Sequence, residues 1–163
     1  MSTLSVDTIQ GKTTAGTVAM PSGHVVQLVT NTYSTAVTIS GSTYTDSGLT
    51  CQITPKFSSS KIFILVSQHI LLSHPTADSG GGWKIFRDST EVEATAVNYA
   101  MYAYTSHASE INLRFYQNWN YLDIPSSTSQ ITYKTQLSRY GGGTLEAQNS
   151  SNPSTMTLME ISQ

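Results

Sequence analysis

The chain has 163 residues, a formal net charge of −2 and only 11% charged residues, against roughly 25% in an average soluble domain. Its eight Lys and Arg are scattered from Lys12 to Arg139, so nucleic acid, whose phosphates need several cations on one surface, is excluded as an expected partner. Cys51 is the only cysteine, which excludes an intrachain disulfide and a thiolate zinc site.

Residues 1–24 stand apart from the rest. They hold no aromatic residue, are rich in Ser and Thr, and are punctuated by Gly11, Gly16 and Gly23, with Pro21 near the end. Their sizeable apolar side chains are Leu4, Val6, Ile9, Val18 and Met20, with no helical period. So few apolar groups cannot offset the entropy of ordering such a segment alone. The expectation is an extended arm, reaching about 80 Å at roughly 3.3 Å per residue, that packs on other chains by strand addition. No basic start or continuous apolar run marks a secretory signal at Met1 to Gln10. Ile62 to Leu72, the most apolar stretch, is about half the length of a membrane-spanning helix. The chain is therefore expected to be soluble, made in a cytoplasm and not inserted in a membrane.

From Val25 the period is two, and residues 25–163 read as one all-β domain. Val25 to Val29 opens it. Leu49 to Ile53 follows, stopped by Pro55, with Cys51 as a small buried hydrophobe. Ile62 to Leu72 is stopped by His74-Pro75. Trp83 to Arg87 comes after Gly80-Gly81-Gly82, which reads as a loop. Asp88 and Glu91 bracket a hairpin turn. Ile111, Leu113, Phe115, Gln117, Trp119 and Tyr121 alternate with polar or aromatic neighbours, and Ile131 to Leu137 repeats the alternation. A turn at Gly141 to Gly143 leads to Thr144 to Ala147, and Pro153 precedes a last strand, Met156 to Ile161. Eight or more short strands with Gly, Pro and Ser in the turns predict a sandwich or jelly roll.

Two strands are apolar on both faces. Ile62, Ile64 and Val66 alternate with Phe63 and Leu65, and Met156 and Leu158 lie opposite Met159 and Ile161. A two-layer sandwich covers one face of each strand. In a chain with no predicted helix, the second cover is a neighbouring subunit. Ile62, Phe63, Ile64, Leu65, Met156, Leu158, Met159 and Ile161 are thus candidate interface residues, one face of each strand acting on the core and the other on assembly.

The sequence holds no catalytic pattern. It lacks the Gly-x-Ser-x-Gly elbow of serine hydrolases. Glu91 and Glu93, which share a strand face, read as a solvated edge rather than a glycosidase pair. Of His24, His69, His74 and His107, only His69 and His74 are close, and five residues apart on a strand they face opposite ways. No cofactor and no required metal is expected; Asp78, Asp88 and Asp123 are loop candidates for a carboxylate on a symmetry axis. Tyr102, Tyr104, Trp119 and Tyr121, near Asn118, Asn120 and Asp123, have the aromatic and amide chemistry of a glycan-binding surface. The competing reading puts Trp119 and Tyr121 in the core stripe of Ile111 and Phe115.

Ser2-Thr3-Leu4-Ser5-Val6-Asp7-Thr8-Ile9-Gln10, continuing through Thr17 to Gln27, resembles the opening of virion fibre proteins of tailed phages, especially those of marine and cyanobacterial hosts. The closing Ser154 to Ile161 is similar to their last strand. The resemblance implies a homotrimeric jelly-roll head of the tumour-necrosis-factor and complement type on residues 25–163, and virion attachment through residues 1–24. It also implies a virion location after assembly in the host cytoplasm and other virion proteins as partners; with the aromatic and amide surface above, host-surface glycan is the candidate ligand of the head. Long fibres carry a coiled-coil or repeat shaft, and none separates arm from head here. The expected roles are a short tail fibre or spike, or a capsid decoration protein; a free lectin-like or glycan-degrading protein is the reading from another class.

Overall fold

The computed structural model describes residues 21–74, 78–95, 100–104 and 110–163. The proposed arm residues Leu4, Val6, Ile9, Val18 and Met20, and His107, lie outside them. The described strands are β1 (Val25–Tyr33), β2 (Val37–Ile39), β3 (Thr45–Ile53), β4 (Lys61–His74), β5 (Ser79–Arg87), β6 (Thr90–Ala94), β7 (Met101–Ala103), β8 (Ile111–Asp123), β9 (Ile131–Gly141), β10 (Thr144–Ala147) and β11 (Ser154–Ile161).

Four antiparallel pairings set the topology: β1 with β11, β3 with β9, β4 with β8, and β5 with β6. The chain is thus one long antiparallel ribbon folded back on itself. Wound up, the ribbon gives two sheets in which β1-β11-β4-β8 and β3-β9-β5-β6 are neighbours, the interleaved order of a jelly roll. Sheet A is the first of these and sheet B the second. β10 shares one side of β4 with β11 and carries β2, while β7 joins β5 beside β6. The domain opens at a turn over 21–24, where Ser162 Oγ donates to the Pro21 carbonyl (2.7 Å) and Gly23 N to the Ser162 carbonyl (2.9 Å).

The interior is filled by alternate residues. β4 contributes Ile62, Ile64, Val66, Ile70 and Leu72, β11 contributes Met156 and Leu158, and sheet B answers with Leu49, Cys51, Ile53, Ile85, Tyr133 and Leu137. Burial pushes the Cys51 thiol up, as befits a packing residue. Ile62, Ile64, Met156 and Leu158 are therefore sandwich core, not subunit interface: the two-residue period turns them inward, where this chain's own sheet B covers them.

Gly80-Gly81-Gly82 is not a loop but part of β5. A Cβ on Gly81 would sit 2.3 Å from the Ser138 carbonyl oxygen and 2.7 Å from Leu145 Cδ1. Close approach of β9 and β10 requires glycine there and overrides its weak strand propensity. β2 and β7, absent from the sequence reading, are three residues each and leave little periodicity to detect. At the β3 bulge Gly48 has φ +84°, and the Tyr33 ring packs against its Cα.

A polar seam crosses the core. Leu49 N donates to Ser47 Oγ, Ser47 Oγ to Thr135 Oγ1 (2.5 Å), and Thr135 Oγ1 to Gln68 Oε1 (3.0 Å). Gln68 Nε2 and Ser154 Oγ then donate to the Gln148 side-chain oxygen (2.9 and 2.8 Å), and the Gln148 amide donates to the Ser47 carbonyl (3.1 Å). The opposite orientation of that amide would set donor against donor. Ser154 Oγ also accepts from His69 N (2.9 Å). At one end Arg87 Nη1 donates to both Asp123 oxygens (2.9 and 2.8 Å) and Tyr133 Oη to Asp123 Oδ2 (2.6 Å), tying the end of β8 to sheet B. Asp123 is therefore not a loop carboxylate free to hold a metal.

Gln68→Ala should lower the unfolding free energy by about 1–3 kcal/mol, because it leaves the Thr135 hydroxyl and the Gln148 oxygen short of a partner in the interior; urea denaturation checks this. Burial first, and then the Asp123 carboxylate, push the Tyr133 phenol above its ordinary range. The folded state keeps that proton, so stability holds below about pH 10 and falls as the pH rises past it. In denaturant titrations from pH 8 to 11, Tyr133→Phe should flatten this alkaline loss.

Candidate assembly face

The residues of sheet A that do not enter the core form its outer face. Leu28, Met159, Phe63 and Leu122 lie in one register across β1, β11, β4 and β8. Leu28 is 55% exposed and Leu122 44%, and Phe63 and Met159 are half-buried. Val25, paired with Ile161, extends this apolar row toward the end of the sheet, and Ile124 follows β8 there, exposed. Bringing the four partly exposed apolar side chains of this row out of water is worth roughly 1 kcal/mol each.

The next register is Thr30, Thr157, Leu65 and Asn120, and the next Thr32, Thr155, Ser67 and Asn118. Around Leu65 these residues enclose a shallow depression of about 270 Å³. It has an apolar floor and amide and hydroxyl walls, a shape that takes a side chain from a facing surface. Farther along, Leu71 is buried between Glu146 and Arg114 in register, and Arg114 Nε donates to Asn149 Oδ1 (3.2 Å). His69 is buried there against Tyr116, ring centroids 5.2 Å apart. Burial first, and then the Arg114 charge, lower its pKa. His69 and His74 fall on opposite faces of β4, as expected from their spacing.

The outer face of sheet B is built differently. Lys134 pairs with Asp46 (2.9 Å), Gln136 Nε2 donates to the same carboxylate (2.6 Å), and Lys84 pairs with Glu91. The two lysine ammoniums also lie over aromatic rings, Lys84 over Tyr44 and Lys134 over Phe86. Exposed pairs of this kind contribute little stability, but they keep a sheet face solvated. Sheet B thus presents ion pairs to water, and sheet A, between the apolar row and the Leu65 depression, presents leucine, methionine, phenylalanine and threonine, its charges Lys61, Arg114 and Glu146 lying toward its two ends.

The sequence candidates divide between these surfaces. Phe63, Leu65, Met159 and Ile161 are on the outer face of sheet A. Leu28 and Leu122 join them without having been singled out: Leu28 follows the polar Gln27, and Leu122 ends a strand face that otherwise carries Asn112, Arg114, Tyr116, Asn118 and Asn120. Trp119 does not belong to a glycan surface: it is 7% exposed and stacks on Trp83 at 4.6 Å, rings 7° apart, between the sheets. Tyr121 is half-buried against the same core. Register with core strand β4 turns both inward, opposite Val66 and Ile64. Tyr102 and Tyr104 are exposed, and Tyr102 Oη donates to Asp78 Oδ2 (2.9 Å). Asp88 Oδ1 accepts from Thr132 N (2.9 Å) and holds the β5–β6 turn. Among the described residues no three His, Cys, Asp or Glu side chains gather as metal ligands, and no helix is long and apolar enough to cross a membrane.

No protein-family model matches the chain, and no curated protein matches it. Solved structures similar to it include the VP2 subviral particle of infectious bursal disease virus (15% identity, TM-score 0.41, 83% of this chain and 37% of that chain). The Gx strain of the same virus (12%, 0.36, 98% and 42%) and its T13 viral particle (14%, 0.28, 82% and 36%) are also similar. The chain spans less than half the length of these proteins. At such TM-scores the likeness is weak, and the fold assignment rests on the strand order itself.

Trp119→Ala should destabilise the fold by about 3–5 kcal/mol, whereas Tyr104→Ala, at a site 70% exposed, should stay within about 0.5 kcal/mol of the parent. Thermal unfolding of the two variants separates the core aromatic from the surface one.

Proposed function

We propose that this chain is a non-enzymatic structural protein of a virus particle: a short trimeric fibre or spike of the tailed-phage type, whose subunits meet through the outer face of sheet A. The observation that carries the proposal is the contrast between the two outer faces. One holds a four-strand apolar row and a Thr- and Asn-walled depression, and the other holds the ion pairs. An apolar sheet face of this extent on a soluble chain marks an association surface, and depletion of charge is the compositional mark of an interface core. The phrases of residues 2–27 and 154–161 supply the virion setting and the number three. In this reading Phe63, Leu65, Met159 and Ile161 lie at the subunit interface, and residues 1–24 pack on sister subunits and on other virion proteins, attaching the head to the particle. Tyr102 and Tyr104, away from the assembly face, are the side chains offered to a host-surface glycan.

Leu65→Asp should convert the oligomer to a folded monomer in sedimentation velocity, since an unpaired carboxylate buried between subunits costs several kcal/mol. Ile64→Asp, one residue away but inside the sandwich, should instead unfold the chain. A parent protein that sediments as a well-folded monomer at micromolar concentration would sink the proposal. Counting copies per particle separates a tail fibre, present in tens or fewer, from a capsid decoration protein, present in hundreds.

A further inference from the structure

The edges of the sandwich are guarded unequally. β1 and β3 face each other, with Asn31 Nδ2 donating to the Thr50 carbonyl (2.7 Å), Gln27 Nε2 to the Thr54 carbonyl (2.7 Å), and a register shift in each strand. β2, β6 and β7 are only three, five and three residues long. β8 is the exception. It runs thirteen residues in unbroken register with β4, and its other edge carries no strand among the described residues. It has no proline, no lysine and no bulge, the devices that keep an edge from pairing. Its core-directed side is only partly covered: Trp119 is buried, but Leu113 is 41% exposed although its partner Leu72 is buried, and Phe115 and Tyr121 are half-buried. Both observations describe a sheet that ends one strand short.

We infer that the free edge of β8 is paired by residues 3–9 of a neighbouring copy of this chain. Twenty residues precede Pro21, enough to reach about 66 Å when extended. Pro21 is fixed by Ser162 at the Val25–Ile161 end of sheet A, the end at which β8 finishes with Asp123. Leu122 of β8 belongs to the apolar row, so a copy docked on that row lies within reach of this edge for an arm of that length. Charge and parity agree. Asp7 is the only acid in residues 1–20, and Arg114, the one cation on β8, is in no ion pair among the described residues. If Asp7 lies on the side of Arg114, the two-residue period puts Leu4 and Val6 on the other side, with Leu113 and Phe115. In naming a neighbouring copy as the donor, this inference rests on the assembly proposed above.

The test is amide hydrogen exchange on the full chain and on the full chain carrying Ser5→Pro and Asp7→Pro, which remove two ladder donors. The β8 amides that point away from β4 should be protected in the parent and exchange at least ~10-fold faster in the proline variant, with β4 unchanged. Free exchange of those amides in the parent, or no effect of the prolines, overturns the pairing; sedimentation of the same samples reports on the assembly face independently. The donor is identified with Arg114→Lys and a carbodiimide in a mixture of isotopically heavy and light chains. Joining of Asp7 to the introduced amine in heavy–light pairs supports a neighbouring copy, and joining only within one chain overturns it.

Discussion

Every strand of sheet A takes its place from β4. It is the longest strand, fourteen residues, paired along one side with β8 and along the other with β11 and β10 in succession. Its inward residues are buried from Ile62 to His74, so a slip by one residue would turn Ile62, Ile64, Val66, Ile70 and Leu72 toward the outside at once. That penalty locks the register of β4, and the registers of β8, β10 and β11 follow. The apolar row and the Leu65 depression are consequences of the same lock, because they are the other parity of the same strands.

The interior is not uniformly apolar. The Ser47–Thr135–Gln68–Gln148–Ser154 seam and the Arg87–Asp123–Tyr133 group each connect sheet A to sheet B. Glu160 is buried as well, and its carboxylate accepts from Lys56 N (2.8 Å), Phe57 N (3.2 Å) and Gln27 Nε2 (2.6 Å), fixing the β3–β4 loop. Apolar packing of two sheets tolerates small shifts of one against the other, whereas a satisfied hydrogen-bond network does not. These groups therefore define how the two sheets align, and with them the shape of the outer faces.

The difference between those faces links packing to assembly. Charges that cluster as ion pairs on sheet B stay hydrated with little loss, while the side chains of the sheet A row gain only by leaving water. A chain with so few charged residues places its exposed ion pairs on sheet B, and the apolar row falls on sheet A. The long edge of β8, unpaired among the described residues, adjoins the apolar row through Leu122, so face and edge belong to one continuous surface.

The sequence by itself determined the class of fold and the run of strands. Alternation in Leu49–Ile53, Ile131–Leu137 and Thr144–Ala147 and apolarity on both sides of Ile62–Val66 and Met156–Ile161 are local signals, and a strand's two faces are legible from a period of two. Parity does not say which face is inside. Only the pairing of β4 with β8 and β11 and the packing of sheet B on that layer assigned Ile62, Ile64, Met156 and Leu158 to the core and left Phe63, Leu65, Met159 and Ile161 outside. The same long-range register turned Trp119 onto Trp83, drew Asp123 into contact with Arg87 and Tyr133, and made a strand of Gly80-Gly81-Gly82, where close backbone approach outweighs propensity. Partners tens of residues apart decide each of these, and no window of the sequence contains both members of the pair.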